Sequence, residues 1–294
     1  MKILICSDGS EQAERAGRLG ATVAAACRAE VTLLGISESP GQSKALLDAL
    51  KRGQTLLADK NIHAELITKS GKPIEEIVKR TKEAHYDLVV IGAVRKALRG
   101  AFWMSSKSYK IIKEVGPPVL SVAGETTTIR RMLICSGGKR YIDNAVRLAG
   151  EIARGLGAAV RLLHVMPQPP AIYAGLPLVE EDTGFLLQSQ SELGINLRHE
   201  KELLESLGVV QVEVRLRHGP VLDQILAEIQ GGGFDLVVTG SALSASLGTY
   251  ILGDVSRELV NRSNCAVLVV RGEEKAEAGR FSFRRLLGRL VTRD

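Results

Sequence analysis

An internal repeat constrains the fold of this chain more than any other feature. Asp87-Leu-Val-Val-Ile-Gly92 is followed by a loop, a helix-like run to Val115 and the apolar run Pro118-Val-Leu-Ser-Val122. Asp235-Leu-Val-Val-Thr-Gly240, a loop, a helix-like run from Gly253 to Arg262 and Ala266-Val-Leu-Val-Val270 repeat that unit at an offset of 148 residues. A bounded apolar run ending on glycine, a helical segment and a second apolar run read as β-loop-α-β, with parallel strands buried on both faces. Two copies in register form an internal repeat, and 294 residues are enough for two domains, each with its own core.

In chain order, Lys2 to Ser7 reads as a strand, Asp8-Gly9-Ser10 as a tight turn, and Ser10 as the cap of a helix reaching about Arg28. Glu11 and Glu14 fall in its first turns, where carboxylates suit the helix dipole. A strand from Glu30 to Ser37, a helix from Ser43 to Lys60 and a strand from His63 to Thr68 follow. Gly71-Lys72-Pro73 opens a helix from Ile74 to Ala84, with Ile74, Ile77 and Val78 on one face. Strands alternating with helices predict a doubly wound α/β domain over residues 1–124.

Thr126 to Arg130 links to a second such domain over residues 130–271. Arg131 to Ser136 repeats the first strand at an offset of 129, set by Cys6 and Cys135; Ile142 to Leu156 and Val160 to Val165 repeat the next helix and strand. The later offset of 148 requires 19 extra residues, whose place is the insertion at about 167–194, a long segment at the carboxyl edge of the strands. The predicted fold is α/β: two doubly wound five-stranded parallel-sheet domains related by a pseudo-twofold. They are expected to pack through their last strands, Val119–Val122 and Val267–Val270, which are apolar enough to need cover.

No apolar run approaches the roughly 20 residues needed to span a bilayer, and a strand beginning at Lys2 leaves no room for a signal peptide. Cys6, Cys27, Cys135 and Cys265 show neither a C-x-x-C pair nor metal-ligand spacing, so they read as reduced thiols and the location as cytoplasmic. Most of the net charge of +6 comes from the run Arg280 to Arg293 of the 272–294 tail, where Arg280, Arg284, Arg285, Arg289 and Arg293 stand with no acid; nucleic acid is not an expected partner. Phe283, Leu286, Leu287, Leu290 and Val291 fall at i, i+3, i+4, i+7 and i+8, a short basic amphipathic helix. Arg280–Arg293 could meet an anionic membrane or a protein partner; a disordered or self-docked tail is the alternative. Pairing of the two domains within the chain, and of two chains in a homodimer, are the remaining partner expectations.

Ile3-Leu-Ile-Cys-Ser-Asp8-Gly9-Ser10, the Gly71-x-Pro73 turn and Asp-Leu-Val-Val-x-Gly in both halves resemble the universal stress protein (UspA) family, over roughly residues 1–123 and 130–271. The resemblance implies ATP or AMP as a ligand of some members. It is held by an aspartate ending the first strand and by a loop of form G-x-x-G-x9-G-[S/T] after the fourth, where glycines and helix amides approach phosphates. In the first copy Asp8, Gly92 and Ser106 match, Ile36 ends the second strand nearby, and Arg95 and Ser105 stand at two glycine positions. In the second copy Gly137, beside Gly138, takes the aspartate position and Val165 corresponds to Ile36. Gly240 and Gly253 match the outer glycines, whereas Leu243 replaces the middle one and Asp254 the hydroxyl.

A carboxylate about 4 Å from a phosphate charge costs roughly 4 kcal/mol at an effective dielectric near 20. Asp254 on this reading disfavours a triphosphate in the second copy, and the first copy ranks higher. The alternative for both copies is a plain strand-to-helix connection. Ser136-Gly137-Gly138-Lys139 also resembles half of the S-G-G-x-D-[S/T] loop of pyrophosphate-cleaving ATPases, but Arg140 and Tyr141 replace its second half, so an anion resting on the turn is the milder expectation.

No catalytic constellation or metal set emerges. The five histidines lack cysteine or carboxylate partners at motif spacing, and His164 reads as a strand-end histidine near the ligand edge. Phe102 and Trp103 read as cover for a sheet edge or an interdomain contact. The functional expectation is a non-catalytic stress-response or regulatory protein with degenerate ATP-binding loops. Its rivals are an ATP or AMP sensor working through the first domain, with at most slow hydrolysis, and a membrane-peripheral adaptor worked by the tail.

Overall fold

Alternating apolar strands and helices assemble as follows in the computed structural model, which describes residues 1–39, 41, 43–93, 95–98, 101–104, 106–138, 142–166, 183–241 and 253–271. Domain 1 contains β1 (Lys2–Ser7), α1 (Glu11–Cys27), β2 (Glu30–Ser37), α2 (Ser43–Ala58), β3 (Ala64–Ser70), α3 (Pro73–Glu83) and β4 (Leu88–Gly92). A hairpin of β5 (Arg95–Leu98) and β6 (Ala101–Met104) follows, then α4 (Ser106–Glu114) and β7 (Val119–Val122). Domain 2 contains β8 (Arg131–Ser136), α5 (Asp143–Leu156), β9 (Ala159–Met166), α6 (Thr183–Gln188), α7 (Glu192–Ser206), β10 (Val212–His218), α8 (Val221–Gly232), β11 (Leu236–Ser241), α9 (Asp254–Arg262) and β12 (Ala266–Arg271).

Ten strands form one sheet in the order β3-β2-β1-β4-β7-β12-β11-β8-β9-β10. Neighbours run parallel throughout except β7 and β12, which pair antiparallel with Leu268 opposite Leu120. That one reversal relates the halves by a pseudo-twofold. Strand order turns back at β1, which lies between β2 and β4, so the carboxyl ends of β1 and β4 flank the crevice where such sheets bind ligands. β8, between β9 and β11, is the corresponding point in domain 2.

Both faces of the central strands are covered, and the first four residues of β4 are 0–3% exposed; this is why they read as unbroken apolar runs. Ser10 caps α1 by accepting from the Ala13 amide. On one face α1 meets α5 across the domain junction, so closely that a Cβ on Gly155 would fall 2.5 Å from the Ala26 carbonyl oxygen. On the other face Val260 of α9 joins the cluster formed by Val119, Ile112 and Val267. The cores of the two domains are therefore continuous.

Two readings of the sequence change. Residues 95–98 and 101–104, taken for part of a loop, pair as β5 and β6 with Arg95 opposite Met104, and β6 runs beside α9 of the other domain. The stretch placed at 167–194 ends in helices: α6 spans Thr183–Gln188, and Glu192 to Gly194 already belong to α7, which Ser191 caps by accepting from the Gly194 amide. Residues 167–182 of that stretch and the 272–294 tail lie outside the described residues. Among the described residues no helix is long and apolar enough to cross a membrane.

The sheet junction predicts one unfolding unit. Leu268, fully buried opposite Leu120, should cost about 2–5 kcal/mol on mutation to Ala, and signals from both halves should shift together in urea unfolding. Loss confined to a domain 2 probe would show that the domains unfold independently.

Candidate functional site

The turn after β1 organises the domain 1 crevice. Ser7 Oγ accepts from the Gly9 amide at 3.1 Å and Asp8 Oδ1 from the Ser10 amide at 2.9 Å. Gly9 sits at φ +81°, and a Cβ there would meet the Leu46 Cα of α2 at 3.2 Å, so both conformation and space require glycine. Asp8, Ile36 from β2 and Gly92 from β4 converge on a cleft of about 150 Å³, with Glu38 at the end of β2, Ile77 from α3 and Ser108 from α4. Gly92 serves the fold first: a Cβ on it would fall 2.7 Å from the Gln12 carbonyl oxygen, so its absence lets the start of α1 rest on β4.

Of the residues proposed for this site, the structure brings together Asp8, Ile36 and Gly92. Ser106 is the first residue of α4, and Ser105 lies outside the described residues. Arg95 lies in β5, paired with Met104 of β6, rather than in an open loop. Strand pairing engages backbone groups that a phosphate-cradling loop presents to its ligand.

The domain 2 crevice is built from repeat-equivalent residues: Ser136, Val165, Ile225, Gly240 and Ser256 stand where Ser7, Ile36, Ile77, Gly92 and Ser108 stand in domain 1. It is larger, about 410 Å³. Gly137 lines it without a carboxylate, and Gly138, at φ +70°, is the counterpart of Gly9. Gly253 precedes α9 and Asp254 begins it. The repulsion argued for Asp254 needs correction, because its side chain is 89% exposed and pairs with Arg257 at 3.1 Å. At a dielectric near that of water its cost to a nearby phosphate falls to about 1 kcal/mol. Asp254 therefore does not rank the two clefts.

Different chemistry holds the second turn. The Gly138 amide donates to Ser136 Oγ at 3.0 Å, and that hydroxyl donates to Glu200 Oε1 at 3.0 Å. Asn196 Nδ2 donates to the Gly138 carbonyl at 2.9 Å. His164 Nδ1 lies 2.9 Å from the Ser136 carbonyl oxygen; a carbonyl only accepts, so this nitrogen carries the proton. Burial lowers the His164 pKa, with His218 acting in the same direction and the Ser136 carbonyl opposing them. Lys139, Arg140 and Tyr141, the remainder of the half-matched phosphate motif, lie outside the described residues.

Burial pushes the Glu200 carboxyl up to about 7, against the hydrogen bond from Ser136 and with help from Asp143. The side chain is 1% exposed, and its Oε2 has no hydrogen-bond partner among the described residues. Sequence reading passed over Glu200 and Asn196. Their signal was two polar residues on the apolar stripe of α7, among Leu193, Leu197 and Leu204. It also missed Ser108 and Ser256, which share the 148 offset and whose hydroxyls face the Gly92 and Gly240 carbonyls at 3.5 and 2.9 Å.

Glu200 makes stability depend on pH. Its folded pKa lies above the unfolded value, so the folded state holds the extra proton and stability falls as pH rises from about 4.5 to 7. Relative to Glu200→Gln, the native protein should lose on the order of 3 kcal/mol across that window. Urea unfolding at pH 5 and pH 8 checks this, and an unchanged difference between the two proteins would contradict it.

The profile of the universal stress protein family matches residues 1–123 and 128–271. A universal-stress-protein homologue from Staphylococcus haemolyticus is 27% identical over 154 residues, covering 51% of this chain and 89% of that protein. One from Staphylococcus epidermidis is 34% identical over 151 residues, covering 50% and 87%. Among solved structures, a universal stress protein from Archaeoglobus fulgidus shares the fold at TM-score 0.70 and 19% identity, covering 92% of this chain and 98% of that one. A Pseudomonas aeruginosa protein does so at TM-score 0.66 and 15% identity, covering 92% and 93%. Each sequence relative accounts for about half of this chain, and the family profile matches twice. The chain thus belongs to the universal stress protein family, with two of the family's units joined in one polypeptide.

Proposed function

We propose that this protein is a non-catalytic stress-response regulator in which neither crevice is a working triphosphate site. The observation that carries this reading is the β5–β6 hairpin, which stands in domain 1 where the resemblance places a glycine-rich phosphate loop. Two further features support it. Gly137 removes the carboxylate from the second crevice, and the turn beside it is held by α7 instead. The domain 1 cleft, at about 150 Å³, is smaller than the roughly 300–1,000 Å³ of ordinary small-molecule sites. The four unbridged cysteines fit a reducing, cytoplasmic setting.

A second reading, sensing of ATP or AMP by domain 1, is favoured by the convergence of Asp8, Ile36 and Gly92 at the crevice of the sheet. It requires the cleft to widen around the nucleoside and leaves the phosphates to solvent or to the helix α4 end. Calorimetric titration of ATP and AMP, with and without Mg²⁺, separates the readings. The regulator reading expects no saturable heat at millimolar nucleotide. Binding of one equivalent, lost in Asp8→Ala, would overturn it in favour of the sensor.

A further inference from the structure

The two units differ at a place that adjoins the nucleotide crevice, with Ser7 and Ala13 lining both spaces. Between α1 and α2, on the other side of the sheet from α3 and α4, domain 1 holds a cavity of about 220 Å³ floored by Ile5 and Leu33 and walled by Leu50 and Leu56. Four small residues keep it open: Ala13 and Gly17 on α1, Ala49 and Gly53 on α2. A Cβ on Gly17 would meet no atom within 4 Å, and one on Gly53 would meet only Leu33 Cδ1, at 3.6 Å.

The repeat supplies the control. At an offset of 129, Ala13 and Gly17 become Ile142 and Val146. Leu46, Leu50 and Leu57 of α2 correspond to Leu193, Leu197 and Leu204 of α7 at an offset of 147, so Ala49 and Gly53 become Asn196 and Glu200. All four replacements are larger and buried, between 0% and 7% exposed. The same scaffold therefore packs this space with side chains in domain 2 and leaves it vacant in domain 1. Apolar cavities of roughly 150 Å³ already accept a benzene-sized guest.

The mouth is charged. Arg52 and Glu14 pair with each other there, and the exposed Arg18 lines the cavity with no ion pair among the described residues. One uncompensated guanidinium beside an apolar chamber fits a ligand with an apolar body and a single anionic head.

We propose that the α1–α2 cavity of domain 1 is a binding site for a small amphipathic carboxylate, its chain among Ile5, Leu33 and Leu50 and its head at Arg18. Its proposed contacts do not include Asp8, Ile36 or Gly92, although Ser7 and Ala13 line both spaces.

The test is calorimetric titration of the full chain with octanoate as the probe and octanol as its neutral control. Octanoate should bind at one equivalent. Gly17→Val, which installs the residue of the second unit, and Gly53→Leu should each weaken it at least tenfold while keeping or raising the melting temperature. Arg18→Gln should weaken octanoate about tenfold and leave octanol unchanged. Absence of saturable octanoate binding by the native protein would overturn the proposal. So would unchanged affinity in both folded, cavity-filled variants, and octanol binding as tight as octanoate would remove the role of Arg18.

Discussion

The antiparallel pairing of β7 with β12 is the contact on which the rest of the structure depends. Each domain alone would end its sheet in a short apolar strand with unpaired backbone groups, a template for association. Placing Val119–Ser121 against Val267–Val269 closes both edges at once and brings α1 onto α5 and α9 beside β6. It also fixes where the crevices face. The strands of domain 1 run opposite to those of domain 2, so their carboxyl ends, and with them the two clefts, open at opposite edges of one sheet.

Within that frame the units have kept geometry and exchanged chemistry. Gly9 and Gly138 both take left-handed backbone in the turn after the first strand. Ser7 and Ser136 both accept the amide two residues on, and Ser108 and Ser256 face the glycine ending the fourth strand. These residues build the turn and the helix approach whatever the ligand. Asp8 has become Gly137, and the second turn draws its support from Asn196 and Glu200 on α7. A carboxylate has in effect moved from the rim of the crevice to a buried position beneath it, where desolvation raises its pKa. The same two positions on α2 are Ala49 and Gly53, which is why one domain carries a buried polar network where the other carries a cavity.

Much of this was legible in the chain. Strands β4, β11 and β12 are buried on both faces and therefore appear as unbroken apolar runs; Ser10 announces the start of α1 by its capping hydroxyl; Pro73 begins α3. The β5–β6 hairpin was not legible. A family loop pattern suggested a connection there, and residues 95–104 have neither the length nor the strict alternation that marks a strand. Of the candidate site, Asp8, Ile36 and Gly92 were found because they sit at strand ends. Glu200 was missed because an acid on a helix is ordinarily solvated, and only its neighbours show that it is not.

The sequence by itself determined the repeat, the α/β alternation, the placement of the turn residues and the family, because these depend on local periodicity and on residues within one element. Tertiary structure alone decided the antiparallel junction, the opposed clefts, the titration of Glu200 and the open space between α1 and α2. Each of those depends on atoms brought together from elements far apart in the chain, where the volume and charge of one residue acquire meaning only from what packs against it.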